Sequence, residues 1–312
     1  MEDVVALLPL LVVLLVAVAA ASGTGFVRRS PPSRETTVAA ARRHASVSSV
    51  AAVALGVTAA LGTGVVATLP GTLQGASRNG VAALSVPLAF GIAYTAVLLL
   101  GELTWPRPEG DLRRARLVHR GLFDAAPRSL VALTTGALVG GGVVVLLGAL
   151  LAAPDGRSFG VSAAGGTIRG AASPFAGLAY GGPAALGLLA LALLTGAALR
   201  VVAQRPAVVT ADDRIEAALR RASAHRVLRG TAATALVVTG GLLAVSGNAV
   251  RSASSGVIAT ASANGLDAGT TVAALPWVGG ILAVLGLVTA LAGVVVLAAR
   301  APGVPADEPI AA

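Results

Sequence analysis

Seven stretches of this chain contain no charged residue: Val4–Val27, Ala45–Ser77, Asn79–Gly101, Ser129–Pro154, Gly170–Leu199, Gly230–Val250 and Ala268–Ala299. A helix rises 1.5 Å per residue, so about 20 apolar residues cross the hydrocarbon core of a bilayer. Each stretch is long enough to do so. Only 12% of the 312 residues are charged, about half the share with which a soluble domain covers its surface. The solvent these segments call for is therefore lipid. Trimmed at Gly, Pro and Ser clusters, the pattern predicts an all-α, polytopic transmembrane bundle of about seven spans. They lie near residues 4–22, 47–69, 81–103, 129–152, 176–199, 230–250 and 275–298, followed by a disordered cytosolic tail over 301–312.

The first span has an alanine-rich end that resembles a cleavage site. Its flanks argue otherwise: Glu2 and Asp3 precede it and Arg28 and Arg29 follow it, the reverse of a signal peptide. A retained helix is expected.

All 23 basic residues are arginine, and they alternate with the spans. Nineteen fall between spans one and two, three and four, five and six, or in the tail; only Arg78, Arg157, Arg169 and Arg251 fall on the other side. Loops rich in Lys and Arg face the cytosol. The expected topology has the N-terminus outside, the C-terminus inside, and the inner (plasma) membrane as location. The net charge of +9 is thereby read as a topology signal, and nucleic acid is not an expected partner. Trp105 and Trp277 fall at headgroup depth, where amphipathic rings settle.

Three arginine-rich segments resemble one another: Ala41–Ala45, Arg113–Arg120 and Arg220–Arg226, each followed by an apolar span. The pattern reads as one leading helix and three hairpins of parallel orientation. Each segment carries one of the three histidines, His44, His119 and His225. No carboxylate stands at ligand spacing near them, so they read as parts of duplicated basic linkers rather than as metal ligands. With no cysteine in the chain, thiolate chemistry and Cys-based metal sites are excluded. No metal or cofactor is expected. Small-residue pairs, Gly136 with Gly140 and Gly177 with Gly181, and the heptad Gly279, Gly286 and Gly293 mark faces where helices approach closely. Packing within the chain is expected for them.

No charged residue lies at mid-span, which speaks against ion-coupled transport. Glu102, at the end of span three, is expected to pair with Arg107. The outer loops 153–175 and 251–274 hold only Asp155 and Asp267 as acids and no histidine; they read as partly ordered at most, and unsuited to an outward-facing enzyme. The most organised loop is 200–229. Thr210 followed by Asp213 is a helix-start pattern, and Ile215, Leu219 and Ala222 share one face. This reads as a short amphipathic helix on the membrane surface, with Glu216, Arg220, Arg221, His225 and Arg226 as candidate partner-docking residues.

Two resemblances accompany this reading. Glu216-Ala217-Ala218 followed by Ala222–Arg229 resembles the coupling-helix motif of ABC importer permeases, which implies a transmembrane subunit energised by a separate ATPase. Gly101-Glu102-Leu103-Thr104-Trp105-Pro106-Arg107-Pro108 is similar to uncharacterised multi-pass proteins of actinobacterial type, a resemblance that implies membrane class and no activity. The function expected from the residues is that of a non-enzymatic accessory or scaffold component. It would act through another membrane protein or a cytosolic partner at the arginine-rich face, with the permease subunit as the alternative.

Overall fold

The computed structural model describes residues 36–68, 78–105, 121–207 and 213–299. The predicted first span at 4–22, the tail at 301–312, His119 and Arg107 lie outside the described residues.

Among the described residues six helices are long and apolar enough to cross a membrane: α1 (Thr36–Thr68), α2 (Arg78–Leu103), α3 (Arg128–Leu151), α4 (Leu178–Gln204), α5 (Asp213–Ala263) and α6 (Thr270–Ala298). The protein is a multi-pass helical membrane bundle, and spans two to seven of the sequence pattern correspond to α1–α6. Large apolar side chains such as Leu146, Leu150, Leu186, Leu193, Val284 and Val295 are exposed on its sides, the surface that acyl chains demand and water forbids.

The helix at the centre is α5. Within its most apolar window 67% of the residues are buried, against 22–44% in the other five helices. At 51 residues it is about 76 Å long, more than twice the ~30 Å core of a bilayer, so it projects beyond it. The expected short surface helix is thus corrected: residues from Asp213 onward are the first turns of α5, continuous with the span. Acidic Asp213 and Glu216 in its first turn favour the start there, since they complement the helix dipole.

The projecting start of α5 is not solitary. Ile215, Ala218 and Leu219 pack with Val38, Ala41 and Ala45 of α1 and with Trp105. That contact explains why α1 begins about eleven residues before its predicted span: its first turns bury apolar residues against protein rather than lipid. It also corrects the reading of Trp105 as a headgroup anchor, because this ring is buried at 6% exposure. Trp277, 78% exposed near the start of α6, keeps an outward-facing ring.

At the opposite end α5 again continues past its predicted limit, and residues 153–172 form a compact addition to it. Strand β1 (Phe159–Ala163) pairs antiparallel with β2 (Ile168–Ala172), Ala163 facing Ile168 across the turn. The turn requires left-handed backbone at Gly165 (φ 66°) and Gly166 (φ 88°), which glycine adopts without strain. Ala163 and Ile168 pack on Val257 and Ala261 of α5, and Phe159 meets Phe175 at 5.4 Å. The expectation of partial order in the two outer loops is therefore corrected. Their low charge reflects apolar side chains that dock on an extended helix, not a lack of structure.

The approach to β1 is held by Asp155. Its Oδ1 accepts the backbone N–H groups of Arg157 and Ser158, each at 3.0 Å, and its Oδ2 accepts the Ser158 hydroxyl at 2.8 Å. The Arg157 backbone bond, followed by the Ser158 hydroxyl, holds this carboxyl below its usual range. A depressed carboxylate contributes to order above its unfolded pKa and loses that contribution as pH falls through the folded value. Backbone protection at Arg157 and Ser158 is expected to be constant above about pH 5 and to fall only below the ordinary carboxylate range near 4. NMR of the amides in detergent checks this; loss of protection between pH 7 and 5 would contradict it.

Glycines set the closest crossing. A Cβ on Gly279 would lie 2.5 Å from the Gly247 carbonyl oxygen, and one on Gly286 2.6 Å from that of Gly240. Gly293 faces the Ala233 carbonyl at 2.8 Å. Two glycine heptads, 240/247 on α5 and 279/286/293 on α6, thus meet backbone to backbone, as expected for packing within the chain. Gly177 and Gly181 also pack internally, against Gly156 and Ala176. Gly136 and Gly140 do not: nothing lies within 4 Å of a Cβ at either position.

Candidate functional site: a buried arginine–glutamate layer

Most of the arginines near helix ends lie together, because consecutive helices alternate in direction, which brings the starts of α1, α3 and α5 to the same side as the ends of α2, α4 and α6. Among the described residues this end buries five arginines (Arg42, Arg205, Arg220, Arg226, Arg229) and two glutamates, Glu102 and Glu216.

Glu102, in the last turn of α2, is the centre of the layer. Arg205, just past α4, donates through Nη1 to Glu102 Oε2 at 2.7 Å, and its guanidinium carbon stands 3.7 Å over the centre of the Trp105 ring. Charge pairing and cation–π attraction act on the same planar group, which can stack flat on the ring while its edge pairs with the carboxylate, a geometry lysine lacks. The expected partner Arg107 lies outside the described residues; Arg205, 103 positions away, is the partner observed. Arg226 approaches Glu102 Oε1 at 3.9 Å, donates through Nη1 to the Ala45 carbonyl at 2.9 Å and the Ser49 hydroxyl at 2.8 Å, and through Nη2 to Ser223 Oγ at 3.0 Å.

Arg220 does a different task. Its Nε donates to Glu216 Oε1 at 2.7 Å, one turn back on α5. Its Nη1 donates to the carbonyls of Val202 and Ala203, each at 2.8 Å, and its Nη2 to that of Arg205 at 2.7 Å. The last carbonyls of a helix have no partner within it, and one guanidinium here satisfies three acceptors at the end of α4. Arg229 does the same for α6, donating to the Ala299 carbonyl at 2.6 Å. His44 Nε2 meets the Gly101 carbonyl at 2.8 Å, with its ring edge-on to Trp105 at 5.7 Å. Through these side chains α1, α2, α4, α5 and α6 are tied together, and Thr134 of α3 donates to the Leu228 carbonyl at 3.3 Å.

Of the candidate docking residues, Glu216 (5%), Arg220 (4%), His225 (7%) and Arg226 (5%) are therefore buried and only Arg221 is exposed. Glu216, Arg220 and Arg226 hold helices together, and Arg221 is the member of the set that faces outward. Sequence reasoning passed over Glu102, Arg205 and Ser49 as parts of the same layer. The available hint was that Glu102 is the only acid bordering any apolar stretch from the arginine-rich side. The face turned to water and headgroups instead carries Arg43, Arg128, Arg200, Arg214 and Arg221, all exposed.

Chemically the layer is a set of donors. Its carboxylates are engaged by guanidiniums, while the buried Nη2 of Arg205, Nε of Arg229 and Nδ1 of His225 have no hydrogen-bond partner among the described residues. Such a set attracts anions. Among the described residues no three His, Cys, Asp or Glu side chains gather as metal ligands. No protein-family model, curated protein or solved structure matches the chain.

Proposed function

We propose that this protein is a non-enzymatic scaffold or accessory component of the plasma membrane, which holds a partner at its arginine-rich, cytosolic end. The observation that carries the reading is the division of labour among arginines. The buried ones are spent on glutamates and helix-end carbonyls and make that end rigid, while Arg43, Arg128, Arg200, Arg214 and Arg221 form a positive rim around it. A rigid, positively charged rim binds an acidic surface without a large ordering cost. In this reading the rim faces the cytosol, as the positive-inside rule requires, and the β-hairpin end faces outward.

The permease alternative draws less support. A coupling helix has to offer its polar residues to an ATPase, whereas Glu216 and Arg220 are turned inward here and their segment continues straight into the span. The two readings separate in one experiment. Because the chain has no cysteine, single cysteines at 43, 200, 214 and 221 give clean sites for impermeant labels and for crosslinkers, with 157 and 169 as controls from the other end. The expected result is labelling of the first four only from the cytosolic side, with one acidic partner crosslinked there in stoichiometric amount and released by charge reversal of the rim. A stoichiometric ATP-binding subunit at 214 and 221 would favour the permease. Labelling of 43 and 214 from outside would overturn the orientation, and recovery of the protein alone would overturn the scaffold.

A further inference from the structure

Helices α3 and α6 both pack on α5, and among the described residues a furrow between them is open to the side of the bundle. Its walls are Gly136, Ala137, Gly140 and Val143 of α3 and Thr289 of α6, and its floor is Leu236, Thr239 and Leu243 of α5. The furrow runs from Ala132 to Val144, about 18 Å at helical rise, and has a volume of about 520 Å³. It opens sideways among the exposed apolar flanks of the bundle, where acyl chains pack. Gly136 and Gly140 are what keep it open, since a Cβ at either would project into empty space.

The stripe of α5 that floors the furrow continues toward the arginine-rich end. His225, Arg229, Ala232, Leu236, Thr239 and Leu243 follow one another at spacings of four and three, which is one face of a helix. His225 and Arg229 are more than nine-tenths buried, and among the described residues His225 Nδ1 and Arg229 Nε have no hydrogen-bond partner. On the flanking helix, Arg128 is exposed one turn before Ala132. The furrow thus points toward the arginine-rich end, where Arg128 is exposed while His225 and Arg229 are enclosed within the bundle.

We propose that the furrow between α3, α5 and α6 binds an anionic phospholipid, with one acyl chain along Gly136, Gly140 and Leu243 and the phosphate at Arg128, one turn beyond the furrow on α3. The phosphate oxygens accept from the Arg128 guanidinium, and the acyl chain covers the exposed apolar wall. A net negative headgroup is preferred over a zwitterionic one because Arg128 adds charge at the exposed mouth.

The test is native mass spectrometry of the full-length protein, purified from its membrane in mild detergent and exchanged against phosphatidylglycerol or phosphatidylcholine. About one phosphatidylglycerol should be retained per chain. Gly140→Leu, which fills the furrow without a clash, should lower retention about tenfold, and Arg128→Gln should lower the preference for phosphatidylglycerol about fivefold, the ratio expected for one charge-assisted contact of roughly 1 kcal/mol. In a second measurement, independent of the filled variant, bimane on Gly136→Cys should be quenched more by spin-labelled phosphatidylglycerol than by the phosphatidylcholine analogue. Equal retention in Gly140→Leu, or equal quenching by the two lipids, would overturn the proposal. So would a disulfide-linked dimer through Gly136→Cys, which would put a second copy in the furrow, or a disulfide from Gly136→Cys to a cysteine introduced in segment 4–22.

Discussion

Replacing Glu102 with alanine is expected to cost about 3–5 kcal/mol of stability, because it strands buried guanidinium charge that the carboxylate now balances. Arg205 loses its 2.7 Å partner and Arg226 its 3.9 Å one, and neither side chain can swing to water without breaking other contacts. The ring of Trp105 holds Arg205 from one side, and Ala45 and Ser49 of α1 hold Arg226. The damage should therefore spread to the α1–α5 contact rather than stay local. Thermal unfolding in detergent measures the loss. The double variant E102A/R205A separates the stranded charge from the attraction itself: removing both partners should be less harmful than the sum of the single changes. Additive losses, or a loss below about 1 kcal/mol in E102A, would mean that water or headgroups reach the layer and that it does not lock the bundle.

What the sequence made legible here follows from which physics leaves a local trace. The limits of α2 and α3 fall within three residues of their expected positions, since both are bounded by residues that lipid excludes. Helices α1, α4 and α5 overrun their predicted spans because hydropathy detects the bilayer, not the helix. Beyond the hydrocarbon core a helix needs only a neighbour to pack on, and Val38, Trp105 and Ile215 provide that for one another. The i,i+4 pair of Glu216 and Arg220 was visible in the spacing. The links from Glu102 to Arg205 and from Arg226 to Ala45 span more than a hundred residues and are set by how four helices converge, which no local pattern records. For the same reason the docking residues were placed on a surface: an arginine-rich amphipathic stretch looks the same whether its charged side meets water or the ends of three other helices. The hairpin at 159–172 was missed because glycine, serine and alanine without charge are shared by disordered loops and by short strands pressed onto a helix.

Gly247→Ala is expected to disrupt the protein more than its single methyl group suggests, and Gly280→Ala to do nothing of the kind. The Cβ at 247 would fall 2.5 Å from the Gly279 carbonyl oxygen and against the backbone at Ala283. Backbone cannot rotate aside as a side chain can, so α5 and α6 must separate along the crossing. Overpacking of a close-packed core costs about 1–3 kcal/mol, sometimes more. Here the displacement also pulls on the contacts of Gly286 with Gly240 one heptad further along. Nothing lies within 4 Å of a Cβ at Gly280 or Gly241, where alanine should be neutral or add up to about 1 kcal/mol through its better helix propensity. The four variants share one chemistry and sit on the same two helices, which removes insertion and expression as explanations for a difference between them. The thermal midpoint in detergent should fall for G247A and G286A and hold or rise for G280A and G241A. Equal midpoints in all four variants would mean that α5 and α6 do not meet at backbone distance. The central crossing would then have to be redrawn, along with the furrow that α3 and α6 line beside it.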